Sequence, residues 1–305
     1  MNEARSYYGR PIIKEPVWKQ EIPWYLFTGG LGGASAVLSA AARITGNERL
    51  ARRSIYIGAA SDAVSPLLLI ADLGRPERFL NMLRVFKVTS PMSVGSWILA
   101  VSSSASSLSA FLHAIRRFHR ISDAARAVAA GSGAPLAVYT STLLSDTAIP
   151  VWHEARHELP FLFGSSAAAS AGAAAAIAVP PAEAAPARRL AIGGVLLENA
   201  LMVEMQRRLG MIGEPYRQDE AGRYAKLAKA CTLGGAGLLA LAGKRSRLAS
   251  IAGGALVLGG EAALRWSVFK AGFQSARDPK YTVLPQRERV ASRAAPARAP
   301  RRAQP

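Results

Sequence analysis

Long stretches almost free of charge recur along the whole chain, and they constrain its fold more than any other feature of the sequence. Each is close to the ~20 residues that an α-helix needs to cross about 30 Å of hydrocarbon. The segment "LFGSSAAASAGAAAAIAV" (162–179) has no polar face, which a helix of a soluble bundle would need. Small residues such as these let membrane helices approach closely. The eight stretches are 24–44, 54–73, 91–115, 124–145, 159–179, 187–206, 224–243 and 248–269.

The pattern predicts an all-α, polytopic membrane protein with eight transmembrane helices. The seventh stretch is the weakest, because Lys226 and Lys229 lie near its start and their ammonium groups must reach the membrane surface. The net charge of +18 lies largely beside the stretches and in the C-terminal tail, which argues against nucleic-acid binding. We therefore predict a polar N-terminal segment (1–23), an eight-helix domain in the lipid bilayer (24–270) and a basic, disordered tail (271–305).

Eight spans place both termini on one side of the membrane, here called side A, opposite to side B. The side B loops are short and strongly basic, whereas the side A loops are longer and carry both signs. The positive-inside rule then predicts a multi-pass inner-membrane protein with side B cytoplasmic and side A extracytoplasmic, although the basic tail on side A argues the other way. The basic residues at side B are Arg43, Arg49, Arg52, Arg53, Arg116, Arg117, Arg120, Arg126, Arg188, Arg189, Lys244, Arg245 and Arg247.

Ionisable residues inside a predicted span are costly in hydrocarbon and mark a pathway or a bound ligand. Asp62 and Glu198 lie near the middle of the second and sixth stretches, and neither has a basic residue four positions away. We predict that they conduct protons or hydrogen-bond Ser and Tyr across the bundle. Glu261 and Arg265 are four residues apart on one helix face, where a packing ion pair and a role in proton transfer are both open.

The histidines and the cysteine limit the redox chemistry of the chain itself. The four histidines lie at span ends or in loops, so two cannot face each other inside the membrane as a haem b site requires. The single Cys231 cannot ligate an iron–sulfur cluster, and His153 with His157 fits a solvated loop better than a metal site. We expect no haem, no iron–sulfur cluster and no metal in this chain. The histidines are His113, His119, His153 and His157.

A charged segment separates the second and third stretches. The step from Arg75 to Pro76 breaks the helix, and "ERFLNMLRVF" (77–86) has the pattern of a short amphipathic helix on the membrane surface. A solvated connector and a docking surface for a soluble partner explain this segment equally well. The charged residues at the start of the docking surface would be Asp72, Arg75, Glu77 and Arg78.

Three segments carry a resemblance to a known family. They are "YYGRPIIKEPVWKQEIPWYLFTGGLGGASA" (7–36), "DLGRPERFLNMLRVFKVTSPMSVGSW" (72–97) and "LPFLFGSSAAASA" (159–171). They resemble the NrfD/PsrC family, the membrane subunits of polysulfide-reductase-type molybdoenzyme complexes, and the second segment is the most specific. The resemblance covers most of residues 7–270 and implies two four-helix bundles.

The resemblance also implies a function and partners. The chain would be a haem-free membrane subunit that binds a quinone, either menaquinone or ubiquinone. Its partners would be a ferredoxin-like iron–sulfur subunit, docked on the segment that starts at Asp72, and a catalytic molybdopterin subunit. Tyr139 matches in type and approximate place a tyrosine that contacts the quinone headgroup, here as a hydrogen-bond donor. Trp24, Tyr25 or Thr28 would supply further contacts.

Two other functions are compatible with the same residues. A proton-coupled secondary transporter would use the intramembrane groups Asp62, Glu198, Glu261 and Arg265, but it has no need of a large mixed-charge surface on one side only. A membrane anchor without quinone chemistry would need neither Asp62 nor Tyr139 for turnover. In the quinone interpretation, Asp62 and Glu198 form the proton path, and Glu261 and Arg265 are the second choice for this role.

Overall fold

The computed structural model describes residues 12–294, and for residue 288 and residues 291–294 it describes the backbone alone. This part of the chain is helical throughout and contains no β-strand. A 3-10 turn (Gly210–Tyr216) separates α8 from α9. The helices are α1 (Glu21–Ile44), α2 (Glu48–Asp72), α3 (Arg78–Met82), α4 (Pro91–Ala114), α5 (His119–Ser145), α6 (Pro150–Glu154), α7 (Leu159–Ala178), α8 (Ala185–Leu209), α9 (Asp219–Leu241), α10 (Arg247–Arg277) and α11 (Lys280–Ala294).

Six of the described helices are long and apolar enough to cross a membrane, namely α1, α2, α4, α5, α7 and α10. The chain is therefore a multi-pass membrane protein. Helices α8 and α9 coincide with the sixth and seventh predicted stretches, but charged residues interrupt their apolar sequence. Arg207 and Arg208 end α8, and Lys226 and Lys229 lie in the first half of α9. For these two helices, a membrane-spanning role remains a prediction.

Several element boundaries differ from the sequence-based expectation. Helix α2 begins six residues before the predicted stretch, because Oδ1 of Asn47 accepts a hydrogen bond from the amide of Leu50 at 3.1 Å and caps its first turn. Helix α3 has only five residues, fewer than the predicted amphipathic helix. At the C-terminal end, residues 280–294 form α11 instead of the predicted disordered tail, while 295–305 lie outside the described residues.

For description, the long helices are divided into two groups: the first consists of α1, α2, α4 and α5, and the second of α7, α8, α9 and α10. The two groups contact each other, since α7 packs against α1 about as extensively as against α10. Glycines permit the closest crossings: a Cβ atom on Gly133 of α5 would lie 2.6 Å from the carbonyl oxygen of Gly33 on α1. The same distance separates a Cβ atom on Gly235 of α9 from the carbonyl oxygen of Gly253 on α10.

Contacts between the connecting segments define two ends of the helix layer. At one end the amide of Lys19 donates to Asp72 at 2.8 Å, and Trp18 stacks on Trp152 with ring centroids 5.7 Å apart. At the other end the guanidinium of Arg43 bonds Asp123 at 3.0 Å. These two ends correspond to the predicted sides A and B, and successive long helices run between them in alternating directions.

Candidate functional site

The side A half of the first group contains a buried cluster of hydroxyl groups. Tyr139 of α5 is buried, and its ring lies so close to Gly95 of α4 that any Cβ atom at Gly95 would overlap it. Its hydroxyl donates to the carbonyl oxygen of Pro91. That single O–H is therefore occupied. The O–H that was predicted to donate to a quinone donates to the protein backbone in this structure.

Four further hydroxyl side chains lie beside this tyrosine. Tyr25 of α1 is buried and close enough to Tyr139 for the two side chains to interact electrostatically. The hydroxyl of Ser65 on α2 bonds that of Thr28 on α1 at 2.8 Å. Oγ1 of Thr140, next to Tyr139 on α5, is buried and makes no hydrogen bond. Side-chain atoms of Tyr25, Ser65 and Thr140 all lie within 4.0 Å of the position that a Cβ atom on Gly29 would take.

Trp24 does not belong to this hydroxyl cluster. Its side chain is 44% exposed and lies edge-on to Trp266 of α10, with ring centroids 6.4 Å apart. Of the residues predicted to contact a quinone, the structure thus brings Tyr25, Thr28 and Tyr139 together and leaves Trp24 on another face of α1.

Asp62 is the buried carboxyl group of the first group. Oδ2 accepts hydrogen bonds from the hydroxyls of Ser102 and Ser106, both on α4 and both at 3.0 Å. Oδ1 has no hydrogen-bond partner and lies against the backbone of α1, where any Cβ atom on Gly32 would overlap it. Asp62 thus bonds serines of a neighbouring helix, which agrees with one of its two predicted roles, and proton conduction stays a prediction. The two serines are spaced i, i+4 on an apolar helix, a signal that the sequence already contained.

The second group buries two carboxyl groups in contact with each other. Glu198 of α8 is 3% exposed and Glu261 of α10 is fully buried, and the two carboxyls are close enough to interact electrostatically. Glu261 also accepts from the hydroxyl of Ser166 on α7. Oε2 of Glu198 and Oε1 of Glu261 have no hydrogen-bond partner.

Arg265 lies next to this carboxyl pair without bonding it directly. Its guanidinium sits over the Phe163 ring, 3.8 Å from the centroid, and donates from Nη2 to the Phe163 carbonyl oxygen at 3.2 Å. Nε and Nη1 are buried and unpartnered. The spacing suggested a direct ion pair with Glu261, but the guanidinium extends toward α7 instead. Its charge still acts on both carboxyls through space.

The two sets of carboxyl groups occupy different helix groups. The neighbours described for Asp62 belong to α1 and α4, whereas Glu198 interacts with Glu261 and Arg265 of α10. A path that leads directly from Asp62 to Glu198, as the sequence suggested, is not visible as side-chain contacts in the described residues.

Comparison with models of protein families identifies the family of this chain. The family model described as "Polysulphide reductase, NrfD" matches residues 12–182, more than half of the chain. The chain belongs to the NrfD family. No sequence among the curated proteins matches it significantly. The NrfD match includes the hydroxyl cluster, Asp62 and the charged segment after α2, while Glu198, Glu261 and Arg265 lie beyond its C-terminal limit.

The charged segment after α2 lies at side A of this NrfD protein. Asp72 is held by the amide of Lys19, whereas Arg75, Glu77 and Arg78 are exposed. Large apolar side chains are exposed beside them, which is typical of surfaces that contact a partner or a lipid headgroup region. These side chains are Leu80 (72% exposed), Val85 (60%), Phe86 (57%) and Val88 (76%).

Metal ligation receives no support within residues 12–294. In that part of the chain, no three His, Cys, Asp or Glu residues are grouped so that they could hold a metal ion. Nδ1 of His153 lies 3.2 Å from the carbonyl oxygen of Ser145.

Proposed function

We propose that this NrfD-family protein is the quinone-binding membrane subunit of a molybdopterin oxidoreductase complex. It exchanges electrons between the membrane quinone pool and a partner iron–sulfur subunit. The observation that carries the proposal is the hydroxyl cluster of Tyr25, Thr28, Ser65, Tyr139 and Thr140, which lies within the part of the chain that the family model matches. The family resemblance supplies the identity of the ligand, and the cluster supplies groups suited to it.

The chemistry of a quinol matches this cluster. A quinol headgroup carries two O–H groups that need acceptors and, after oxidation, two carbonyl oxygens that need donors. The oxygen of Tyr139 accepts a hydrogen bond from the quinol while its own O–H donates to the carbonyl oxygen of Pro91, and the unpartnered hydroxyl of Thr140 donates or accepts. Polar groups of this kind, few in number within apolar walls, are typical of small-molecule sites.

The depth of the cluster suits electron transfer to a subunit bound at side A. Tyr139 lies six residues before the end of α5 at Ser145, or ~9 Å at about 1.5 Å per residue. The exposed segment from Arg75 to Val88 combines both charge signs with apolar side chains, and we assign the docking of the ferredoxin-like iron–sulfur subunit to it. The catalytic molybdopterin subunit would bind that subunit in turn.

Proton transfer accompanies quinol oxidation, because each quinol that loses two electrons also releases two protons. Asp62 lies one helical turn from Ser65 on α2, and hence close to the hydroxyl cluster. We assign to Asp62 the first acceptance of a proton, and to Glu198, Glu261 and Arg265 the transfer of protons within the second group. In this proposal all eight long helices span an inner membrane as two four-helix bundles, with the basic side B in the cytoplasm.

Replacing Tyr139 by Phe tests the quinone site. The variant keeps the buried ring and removes only the oxygen, so we expect kcat/KM with a membrane quinol to fall by about tenfold, or roughly 1.4 kcal/mol. The matched control is Tyr56→Phe, because Tyr56 lies toward side B and contacts the His113 ring edge-on, with centroids 6.2 Å apart. The assay uses the purified complex with its partner subunits.

The same assay separates the alternatives. A membrane anchor without quinone chemistry predicts unchanged quinol turnover in both Tyr139→Phe and Asp62→Asn. A secondary transporter predicts substrate-coupled proton uptake by vesicles that contain this chain alone, and no electron transfer to a quinone.

A further inference from the structure

A cavity of about 200 Å³ opens between α8 and α9 in their side A halves. Its outer end is formed by Tyr216 and Arg217, next to the 3-10 turn at side A, and its inner end by Glu198 and Asn199. The cavity, here called the α8/α9 crevice, exists because α8 packs mainly on α7, and α9 mainly on α10, so that these two helices touch each other little.

The inner end of the crevice is deep in the helix layer. Glu198 lies eleven residues before the end of α8 at Leu209, or ~16 Å at about 1.5 Å per residue. The walls are apolar at Met202, Val203 and Leu264 and basic at Lys226 and Lys229. The lining of one cavity thus extends from residues next to side A to a carboxyl that is 3% exposed and whose Oε2 makes no hydrogen bond.

The groups around Glu198 suit the uptake of a proton. On α10, Glu261 forms the carboxyl pair with it and Arg265 acts on both through space. On α9, Lys226 and Lys229 line the same cavity, and both side chains are exposed. Ser166 of α7 donates to Glu261 from the opposite side, so the pair is anchored at its inner end and open only at Glu198.

We propose that the α8/α9 crevice is a proton route from side A that loads the Glu198–Glu261 pair. A hydronium ion in the crevice transfers its proton to a carboxylate oxygen of Glu198, which forms an O–H bond and leaves water. Glu198 then passes a proton to Glu261, and no electrons move in either step. This inference rests on the proposed function, because quinone chemistry is what would use the protons.

Cysteine labelling tests whether water fills the crevice. Cys231 is the single cysteine of the chain, so Cys231→Ser provides a background for Met202→Cys, inside the crevice, and Ala200→Cys, on an exposed face of α8. Their Cα atoms differ in depth by only ~3 Å. In sealed vesicles that contain the complex, a charged, membrane-impermeant methanethiosulfonate is added to one side at a time, with side A identified by an N-terminal tag.

We expect Met202→Cys to be labelled from side A at least about tenfold faster than Ala200→Cys. The reagent reacts with a hydrated thiolate, and the proposal places water at Met202, inside the crevice, and not at Ala200, outside it. Equal rates for the two variants, or labelling of Met202→Cys from side B alone, would overturn the proposal. A lipid chain that fills the crevice gives the first of these results.

A second pair of variants tests whether protons use the crevice. Ala225→Leu narrows it, whereas Ala230→Leu makes the same change at an exposed position of α9 outside it. Infrared spectroscopy of the purified complex follows hydrogen–deuterium exchange of the protonated-carboxyl band that Glu198→Gln and Glu261→Gln remove. We expect Ala225→Leu to slow this exchange by on the order of tenfold and Ala230→Leu to leave it unchanged.

Identical exchange in Ala225→Leu and Ala230→Leu would overturn the proton route even if Met202→Cys is labelled. Neither readout requires quinol turnover. A failure of the proposed quinone function, seen as a wild-type complex without quinone activity, is therefore distinguishable from a failure of this inference.

Discussion

The two helix groups bury different kinds of polar chemistry. In its middle and side A half, the first contains neutral hydroxyls around Tyr139 and a buried carboxyl, Asp62, bonded by two serines. Its buried guanidinium, Arg126, lies toward side B and pairs with Asp123. The second contains two carboxyls in mutual contact and a buried guanidinium with two unpartnered N–H groups. Hydroxyl groups suit a neutral ligand whose oxygens both donate and accept, whereas a carboxyl pair beside an arginine suits a mobile proton. This difference fits the two proposals made above, in which the quinone binds in the first group and protons are stored in the second.

Removing the buried guanidinium of Arg265 is expected to have the largest effect on stability. In Arg265→Met, the carboxyl pair loses its compensating charge while a chain of similar length still fills the space. We expect destabilisation by about 3–5 kcal/mol, as when one partner of a buried charge set is removed. Thermal unfolding in detergent measures it, with the exposed Arg245→Met as the control.

Charge compensation can be separated from lost packing in the same experiment. If charge is the cause, adding Glu261→Gln to Arg265→Met restores part of the lost stability. If Arg265→Met is as stable as the wild type, the pair needs no compensating charge, and the contrast between the groups disappears.

Adding a methyl group at a close helix crossing is predicted to destabilise the two groups equally. Gly133→Ala places a methyl group 2.6 Å from the backbone oxygen of Gly33, so α1 and α5 must move apart, at a cost of about 1–3 kcal/mol. Gly131→Ala on the same helix meets no atom within 4 Å and is the matched control. Thermal unfolding of the two variants checks the effect.

The second group offers the equivalent pair, Gly235→Ala with Gly234→Ala as its control, since Gly234 also faces open space. A loss of stability in only one of the two groups would show that the groups are not equally close-packed. Equal effects in Gly133→Ala and Gly131→Ala would contradict the close crossing of α1 and α5.

The smallest predicted effect concerns side A outside the spans. Lys280 bonds Glu214 at 3.0 Å and holds the pKa of that carboxyl below its ordinary value of 4.5. A lowered pKa in the folded state stabilises the fold above the ordinary value, and this contribution is lost as the pH falls through the folded value. We therefore expect Glu214→Gln to lower the melting temperature slightly at pH 7 and to have a smaller effect as the pH falls below about 4.5.

The control for this pH effect is Glu77→Gln, at an exposed position on the same side. A difference between wild type and Glu214→Gln that persists unchanged at low pH would assign the effect to the Tyr281 hydroxyl, which also bonds Glu214 at 3.3 Å, and not to the charge of Lys280.

The positions of the long helices follow from the sequence, because apolar length alone dictates where a chain crosses about 30 Å of hydrocarbon. The partners of the buried carboxyls do not follow in the same way. Asp62 was recognisable as a buried group, but which serines bond it depends on α4 packing against α2. The guanidinium of Arg265 bonds the Phe163 carbonyl oxygen of α7, and residue spacing along α10 cannot predict this contact with another helix.

Charged residues limit the sequence-based prediction in α8 and α9. The same residues that make these helices too polar to qualify as candidate spans line the crevice at Glu198, Lys226 and Lys229. The extent of α11 was also missed, since "KYTVLPQRERVASRA" (280–294) is polar and contains Pro285. Contacts such as that between Tyr281 and Glu214 help to hold it at side A.

The most direct test of the central claim is gentle purification of the tagged chain from its native membrane, followed by mass spectrometry of the co-purified proteins and of the extracted quinone. The account predicts a ferredoxin-like iron–sulfur subunit, a molybdopterin subunit and a bound quinone in one complex. A chain that purifies alone or as a homodimer, without quinone, would contradict it and would assign the buried carboxyls to a transport function instead.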